Sequence, residues 1–263
     1  MGISTTIRYS MELVGLAFSG KLFGDLLEMK RLFERNLAIF FTKEPPKIIH
    51  DILVSIIVPT MNEEKRLGML LESIRRSWYK NIEVIVADYN SYDKTREIAE
   101  KYGAEVVNVD KPGIGYATYL GTKYANGEIL IRVDADTIIP PHVIYNTVKI
   151  FQQHHDVLVY HVGHFYHDGD FIDNLLAFLY DKYWRKPWNT TGHFIAFRRE
   201  VMKRVNFDPN LRYHEDYNFG ERVKDVYGSQ AFLFNRYDAV FISSRRIRKV
   251  GKVRYILGPY TRL

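Results

Sequence analysis

Glu128-Ile129-Leu130-Ile131-Arg132-Val133-Asp134-Ala135-Asp136-Thr137-Ile138-Ile139-Pro140-Pro141 is the stretch on which the reading of this chain turns. Its apolar run predicts a buried strand that delivers two carboxylates, two residues apart, to its C-terminal end, where the prolines stop it. Aspartates so close repel each other unless positive charge sits between them, and a hard divalent cation with oxygen ligands is the usual partner. In open α/β sheets the ligand crevice lies beyond the carboxyl ends of the strands, so this is the right end for chemistry. Read alone, the same Asp-x-Asp could equally open a surface turn.

The residues upstream supply the context. Ile52 to Val58 is a nearly continuous Val/Ile run, the mark of a parallel strand buried on both faces, and it ends at Pro59-Thr60-Met61-Asn62-Glu63-Glu64. A helix is expected from Lys65 to Trp78, with Leu67, Leu70, Leu71 and Ile74 on one side. A second strand, Ile82 to Ala87, ends at Asp88, and a helix from Thr95 to Tyr102 is capped by Gly103. A short strand, Glu105 to Val109, leads to the loop Gly113-Ile114-Gly115 and a helix from Tyr116 to Tyr124. Counting the aspartate strand, four strands are separated by three helices, which specifies a parallel, doubly wound sheet with right-handed crossovers.

Val54-Ser55-Ile56-Ile57-Val58-Pro59-Thr60-Met61-Asn62-Glu63-Glu64, Val84-Ile85-Val86-Ala87-Asp88-Tyr89-Asn90-Ser91-Tyr92-Asp93-Lys94-Thr95, Ala125-Asn126-Gly127-Glu128 and Asp134-Ala135-Asp136 together resemble family 2 glycosyltransferases of the GT-A fold. The resemblance runs from about residue 52 to about residue 250, with the four motifs in the family's order. It implies an α/β, Rossmann-like, mostly parallel sheet and a nucleotide-sugar donor. It further implies that Pro59, Thr60, Asn62, Glu63 and Asp88 line the nucleotide pocket and that the loop of Gly115 meets the phosphates, with Asp134 on the ribose side and Asp136, with Asp134 beside it, on a Mn²⁺ or Mg²⁺ that bridges the diphosphate. Two departures stand out: Asp88-Tyr89-Asn90-Ser91 where the family often has Asp-Asp-Gly-Ser, and Ile114 where it has Lys beside Gly115.

Beyond the aspartates, Val143 to Phe151 reads as a helix and Val157 to Tyr166 as a strand carrying His161 and His164, with His167 just past it. On a strand the first two histidines point to opposite faces, which argues against a second metal and for one of them facing an acceptor. A helix over Phe171 to Tyr183 runs into Trp184-Arg185-Lys186-Pro187-Trp188-Asn189-Thr190-Thr191-Gly192-His193. Trp188, Gly192 and His193 in this loop are candidates for covering an acceptor, the alternative being that the tryptophans are core. In His214-Glu215-Asp216-Tyr217 the carboxylates suit a helix start. By the resemblance Asp216 is the general base and Glu215 its support; a sugar hydroxyl is a poor nucleophile, and a positioned carboxylate takes its proton. In Ser243-Ser244-Arg245-Arg246 the paired arginines suit a diphosphate, through two-pronged contacts of Arg245 and Arg246.

The 263 residues contain no cysteine, which excludes disulfides, thiolate nucleophiles and zinc-thiolate sites. A net charge of +6 favours an anionic partner: nucleotide, phosphosugar, acidic membrane surface or, with less support from the motifs, nucleic acid. No stretch reaches the ~18 uninterrupted apolar residues of a membrane span. The run from Leu13 to Phe18 is short for a signal peptide and has Glu12 where a basic flank belongs. Leu22, Phe23, Leu26, Leu27, Phe33, Leu37, Phe40 and Phe41 recur at helical spacing, with Lys30, Arg31, Glu34 and Arg35 on other faces. This N-terminal amphipathic helix is expected to pack on its own domain, on a second subunit in an oligomer, or on a membrane. Pro45-Pro46 marks a boundary, giving an extension over 1–46, a catalytic domain over 47–244 and a basic tail over 245–263.

The chain is therefore expected to be a metal-dependent, inverting glycosyltransferase moving sugar from a UDP- or GDP-sugar to a glycan, protein-linked or lipid-linked hydroxyl. The expected location is cytoplasmic, with access to the membrane face. The alternatives are a sugar-phosphate nucleotidyltransferase, which wants a glycine-rich basic loop where Pro59 to Glu63 stand, and a non-catalytic carbohydrate or nucleic-acid binder. A phosphatase of the Asp-x-Asp kind wants Thr where Ile138 stands, and a dinucleotide oxidoreductase wants a third glycine where Thr118 stands.

Overall fold

The computed structural model describes residues 20–41 and 51–251. The Leu13 to Phe18 run, the Pro45-Pro46 boundary and the tail from Lys252 onward lie outside the described residues. The strands are β1 (Val54–Thr60), β2 (Ile82–Asp88), β3 (Glu105–Asn108), β4 (Ile129–Arg132), β5 (Val159–Tyr166), β6 (Ile195–Arg198) and β7 (Phe232–Ile242). The helices are α1 (Lys21–Ala38), α2 (Leu67–Arg75), α3 (Thr95–Lys101), α4 (Ile114–Tyr124), α5 (Pro141–Gln153), α6 (Phe171–Tyr183), α7 (Glu215–Tyr227) and α8 (Arg245–Val250).

All seven strands form one sheet in the order β3-β2-β1-β4-β6-β5-β7. β1 pairs in parallel with β2 and β4, β2 with β3, and β5 with β7, while β6 runs against β4 and β5. The carboxyl ends of β1, β2, β4, β5 and β7 thus share one edge. The chain leaves β1 toward β2 and β3, then returns to the other side of β1 as β4; the crevice of a doubly wound sheet opens at such a reversal. Pro59 is tolerated in the central strand because β4 pairs only as far as Ile57, so the missing N–H faces no β4 partner.

Alternation on β1 builds the core on both faces. Ile56 and Val58 pack with Leu67, Leu70, Val143 and Phe151 on one side. Ile57 packs with Leu130, Phe197, Phe207 and Phe219 on the other, where the Phe207 and Phe219 rings stack at 4.4 Å. β4 stops at Arg132, two residues short of the first aspartate, so both acidic residues sit on the loop after the strand rather than on it.

α1 departs from the apolar face its periodicity suggests. Its buried row is Asp25, Met29, Leu32 and Asn36, whereas Phe23, Leu27, Leu37 and Phe41 are exposed. The cause lies in β7, whose pairing with β5 jumps from Val162↔Asn235 to Gly163↔Ala239. Residues 236–238 bulge out of the ladder and leave backbone groups without strand partners. Asn36 satisfies them, donating to the Tyr237 carbonyl (3.1 Å) and accepting from the Ala239 N–H (3.1 Å). Asp25 and Glu28 take the Lys182 ammonium at 2.7 and 2.6 Å, and Glu28 also takes Arg236 at 3.1 Å.

Asn36→Ala strips both partners from the bulge and is expected to cost about 1–3 kcal/mol in a urea unfolding series. A midpoint equal to that of the parent protein would show that the bulge finds its partners elsewhere.

Candidate active site

Two loops wall the crevice on the β2 side. Asp88 is fully buried, and its carboxylate accepts from Thr60 Oγ1 (3.1 Å), the Ser91 N–H (3.1 Å) and Arg96 Nε (2.6 Å). Asn62 and Asn90 take positive φ angles of 56° and 45°, a conformation asparagine tolerates better than most residues. The Asn62 N–H donates to Ser91 Oγ at 2.8 Å and its side-chain oxygen accepts from the Tyr92 N–H at 3.1 Å. The Glu63 N–H donates to Thr95 Oγ1 at 2.7 Å. Thr60, Asn62, Glu63 and Asp88 are therefore brought together, with Asp88 engaged in holding the two loops.

On the other side the arrangement centres on Arg132, the last residue of β4. Its guanidinium is 1% exposed, donates to Asp134 Oδ1 and to Glu215 Oε1, each at 2.5 Å, and also reaches the Gly192 carbonyl. A Cβ on Gly192 would lie 2.0 Å from Arg132 Nη1, so only glycine admits the fork. Gly192 serves both acidic motifs: its carbonyl accepts from the Asp134 N–H at 2.9 Å and its N–H donates to Asp216 Oδ2 at 2.6 Å. Asp216 Oδ1 accepts from the Tyr217 N–H at 2.8 Å. Glu215 and Asp216 open α7, where the helix dipole favours negative charge, and His214 before them is left-handed at φ 61°. His193 Nδ1 lies 3.4 Å from Asp134 Oδ2 and its ring packs on His164 at 4.8 Å.

The third contribution comes from the start of α8. Arg245 Nε lies 3.0 Å from Asp136 Oδ2, and its Nη1 donates to both oxygens of Glu63 at 2.8 and 3.1 Å. Asp168 holds this turn, accepting from Ser243 Oγ (3.0 Å), the Ser244 N–H (2.6 Å) and Arg248. Arg246 is exposed.

Charge imbalance perturbs the acids. Burial opposes ionisation of Asp134, but Arg132 and His193 outweigh it and hold its carboxyl well below the usual range. Asp136 is raised by burial and by the charge of Asp134, with Arg245 opposing. Glu215 is pushed up to about 7 by burial and by Asp216 and Asp134, against the pull of Arg132.

Other candidates fall elsewhere. Gly115 packs against the 208–211 turn, where a Cβ would lie 2.3 Å from the Asp208 carbonyl, and its N–H donates to the Leu211 carbonyl at 3.0 Å. Trp188 is half-buried against the Phe197 and Phe219 cluster, with Lys224 Nζ 5.0 Å from its ring. The three histidines do not converge: His161 Nε2 donates to the Pro187 carbonyl at 2.7 Å, and burial lowers this imidazole to about 3. His164 Nδ1 lies 3.5 Å from Asp181 Oδ2, and His167 is exposed.

Among the described residues no three acidic or imidazole side chains converge as a closed metal cage. The donors present fit an open oxygen site for Mg²⁺ or Mn²⁺, in which one or two carboxylates bind and phosphates and water complete the shell. Asp136 is suited to it, being a carboxylate held above its ordinary pKa by burial and by Asp134, with Arg245 and His193 drawing it down.

Residues 55–206 match the model of the family described as Glycosyl transferase family 2. The chain belongs to glycosyltransferase family 2. Over 177 residues it is 29% identical to a dolichol-phosphate mannosyltransferase of Pyrococcus furiosus, covering 59% of this chain and 49% of that one. It resembles in fold a mannosyltransferase of Pyrobaculum calidifontis solved with GDP-Man and Mn²⁺ (TM-score 0.59, 22% identity, 91% of this chain and 72% of that one). It also resembles in fold the glucosyl-3-phosphoglycerate synthase of Mycobacterium tuberculosis solved with Mn²⁺, UDP-glucose and phosphoglyceric acid (TM-score 0.57, 22% identity, 83% and 87%). The architecture is GT-A. The chain spans at most about half the length of the curated relatives it matches first, 24% of one and 49% of another.

Arg132 was not among the residues singled out from the sequence of this family member, although a charge inside an apolar strand run is itself a signal, since such a residue is almost never buried unless paired. Asp168 carried no comparable signal.

Glu215 also fixes a pH dependence. It keeps its proton to about pH 7 when folded and to its ordinary value of 4.5 when unfolded, so the folded state binds more protons in between and its stability falls as pH rises through that window. Glu215→Gln weakens the Arg132 pair at every pH but removes the slope, so the parent's loss of stability between about pH 4.5 and 7 is expected to be absent in the variant. Parallel stability profiles from urea unfolding on either side of the window would show that Glu215 is ionised throughout.

Proposed function

We propose that this chain moves a sugar from a UDP- or GDP-sugar to a hydroxyl of a glycan or lipid-linked acceptor in one inverting displacement, with Asp216 as general base. The observation that carries the reading is the Arg132 guanidinium, which bonds Asp134, Gly192 and Glu215 and so fixes the Asp-x-Asp loop and the start of α7 as one unit. Donor-side and acceptor-side carboxylates are thereby preorganised together, which is what a single displacement requires. The solved GT-A neighbours crystallised with GDP-Man and with UDP-glucose support a nucleotide-sugar donor without choosing the base. The name of the Pyrococcus relative, a dolichol-phosphate mannosyltransferase, supports a lipid-linked acceptor.

In this reading Thr60, Asn62, Glu63 and Asp88 take the base and ribose, with Asp134 on the ribose side. Asp136, with Asp134 beside it, holds Mn²⁺ or Mg²⁺. When bound, such an ion supplies positive charge to the leaving diphosphate. Arg245 turns from Asp136 to the diphosphate oxygens, with Arg246 following it. Asp216 accepts the acceptor's hydroxyl proton while that oxygen attacks the anomeric carbon from the face opposite the diphosphate. The bond from that carbon to the diphosphate oxygen breaks, the electron pair leaves with the diphosphate, and the configuration inverts. The Gly192 and Tyr217 N–H groups hold the Asp216 carboxylate in place. Among the described residues no helix is long and apolar enough to cross a membrane. With a net charge of +6 and a relative named for a lipid phosphate in support, we place the reaction at the cytoplasmic face of a membrane.

Asp216→Asn is expected to lower transfer by about 10²- to 10⁴-fold while calorimetric binding of nucleotide is kept. Transfer at the parent rate would remove Asp216 as the base. Asp136→Ala should abolish the Mn²⁺-dependent part of UDP or GDP binding, and an affinity that Mn²⁺ still raises in that variant would take Asp136 out of the metal site.

A further inference from the structure

α1 is inverted relative to an ordinary surface helix. Polar Asp25 and Asn36 face inward, while Phe23 and Phe41 are 69% and 81% exposed and Leu27 and Leu37 are 43% and 44% exposed. At 3.6 residues per turn Phe23, Leu27 and Leu37 lie within an arc of about 80°, with the Lys30–Glu34 pair between them in the same arc, and Phe41 follows in the 3-10 turn Ile39–Phe41. The charged residues exposed with them are Lys21, Lys30, Arg31, Arg35 and Glu34, the last 3.7 Å from Lys30. Aligned apolar side chains of this size in the open mark an interaction surface.

We propose that this outward row lies on an anionic membrane surface, with Phe23, Leu27, Leu37 and Phe41 entering the headgroup region and Lys30, Arg31 and Arg35 meeting lipid phosphates. A helix face that carries Phe and Leu with an excess of Lys and Arg among and beside them has the composition of an interfacial helix. The four cations against one acid select an anionic surface. They also disfavour a second copy as the occupant, since a symmetric pairing of this face would bring Arg31 and Arg35 of both chains together.

The docked helix would lie beside the crevice. At its C-terminal end Phe33 and Phe40 pack on Phe241 at 5.5 and 6.1 Å. Phe241 exchanges two backbone hydrogen bonds with Ile138, at 2.7 and 2.9 Å, two residues beyond Asp136. One layer of side chains thus separates the lipid-facing helix from the loop that carries the aspartates. Resting on the transferase reading, this names the acceptor class as a lipid-borne hydroxyl presented from the bilayer.

The test is flotation of the full chain with phosphatidylcholine vesicles, with and without phosphatidylglycerol, using the exposed-residue variants Phe23→Ser with Phe41→Ser and Arg31→Glu with Arg35→Glu. Circular dichroism and UDP or GDP calorimetry serve as folding controls. The expected result is binding to the anionic vesicles that each double variant weakens by at least ~10-fold, with nucleotide binding unchanged. No vesicle binding by the parent chain, or binding by both variants as tight as the parent's, overturns the proposal. So does a dimer in sedimentation that Phe23→Ser with Phe41→Ser dissolves in the absence of any vesicle binding. These results leave the transferase reading standing if nucleotide still binds, whereas vesicle binding without nucleotide binding overturns that reading and keeps this one.

Discussion

Arg132 carries a full positive charge where almost no solvent reaches it, and a charge in that setting must be paired and hydrogen-bonded. Its partners come from three separate segments: Asp134 two residues on, the Gly192 carbonyl, and Glu215, 83 residues away. A guanidinium can do this and an ammonium cannot, because its planar fork offers fixed donors in several directions at once. Removing one partner of such a buried set costs on the order of 3–5 kcal/mol, so the loop after β4, the 190–193 loop and the first turn of α7 have little freedom to move independently. The absence of a side chain at Gly192 follows from the same requirement, since the guanidinium occupies the space a Cβ would need.

Negative charge in the crevice exceeds what the protein's own cations neutralise. Glu63, Asp134, Asp136, Glu215 and Asp216 face Arg132 and Arg245, and the surplus shows in the raised carboxyls of Asp136 and Glu215. The two arginines differ in kind. Arg132 is enclosed and fixed, whereas the Arg245 side chain is 42% exposed and sits on a six-residue helix held by Asp168. A fixed cation preorganises the acids; an exposed one at the mouth can be exchanged for other positive charge or turned toward an incoming anion. That division suits a substrate that brings both a diphosphate and a divalent ion.

The parts of this arrangement legible in the sequence are those with a local code. Continuous Val/Ile runs gave β1 and β2, the turn residues after them marked the crevice edge, and the carboxylates at positions 134, 136, 215 and 216 stood out as chemistry in an otherwise ordinary helix and strand pattern. β6 and β7 were not anticipated. β6 is only four residues long, and β7 carries Asn235, Arg236 and Asp238 in mid-strand, so neither shows a clean alternation. The loop ending of β4 was missed because Val133 continues the apolar run past the last ladder pair. Contacts between distant segments, such as Arg245 with Asp136 or Asp168 with Ser244, leave no periodic trace.

The orientation of α1 shows how a tertiary constraint overrides a helix's own hydrophobic pattern. The bulge in β7 exposes a carbonyl and an N–H that must be satisfied on the inner side of whatever covers it, and the cations Lys182 and Arg236 near it must be matched by acids. A helix laid there has to turn Asn36, Asp25 and Glu28 inward. Met29 and Leu32, with Leu22, Phe33 and Phe40 partly buried beside them, fill the rest of that face, and Phe23, Leu27, Leu37 and Phe41 are left outside. They are left outside by geometry rather than by weak packing. The bulge that turns the polar residues inward thus accounts for the outward position of the two phenylalanines.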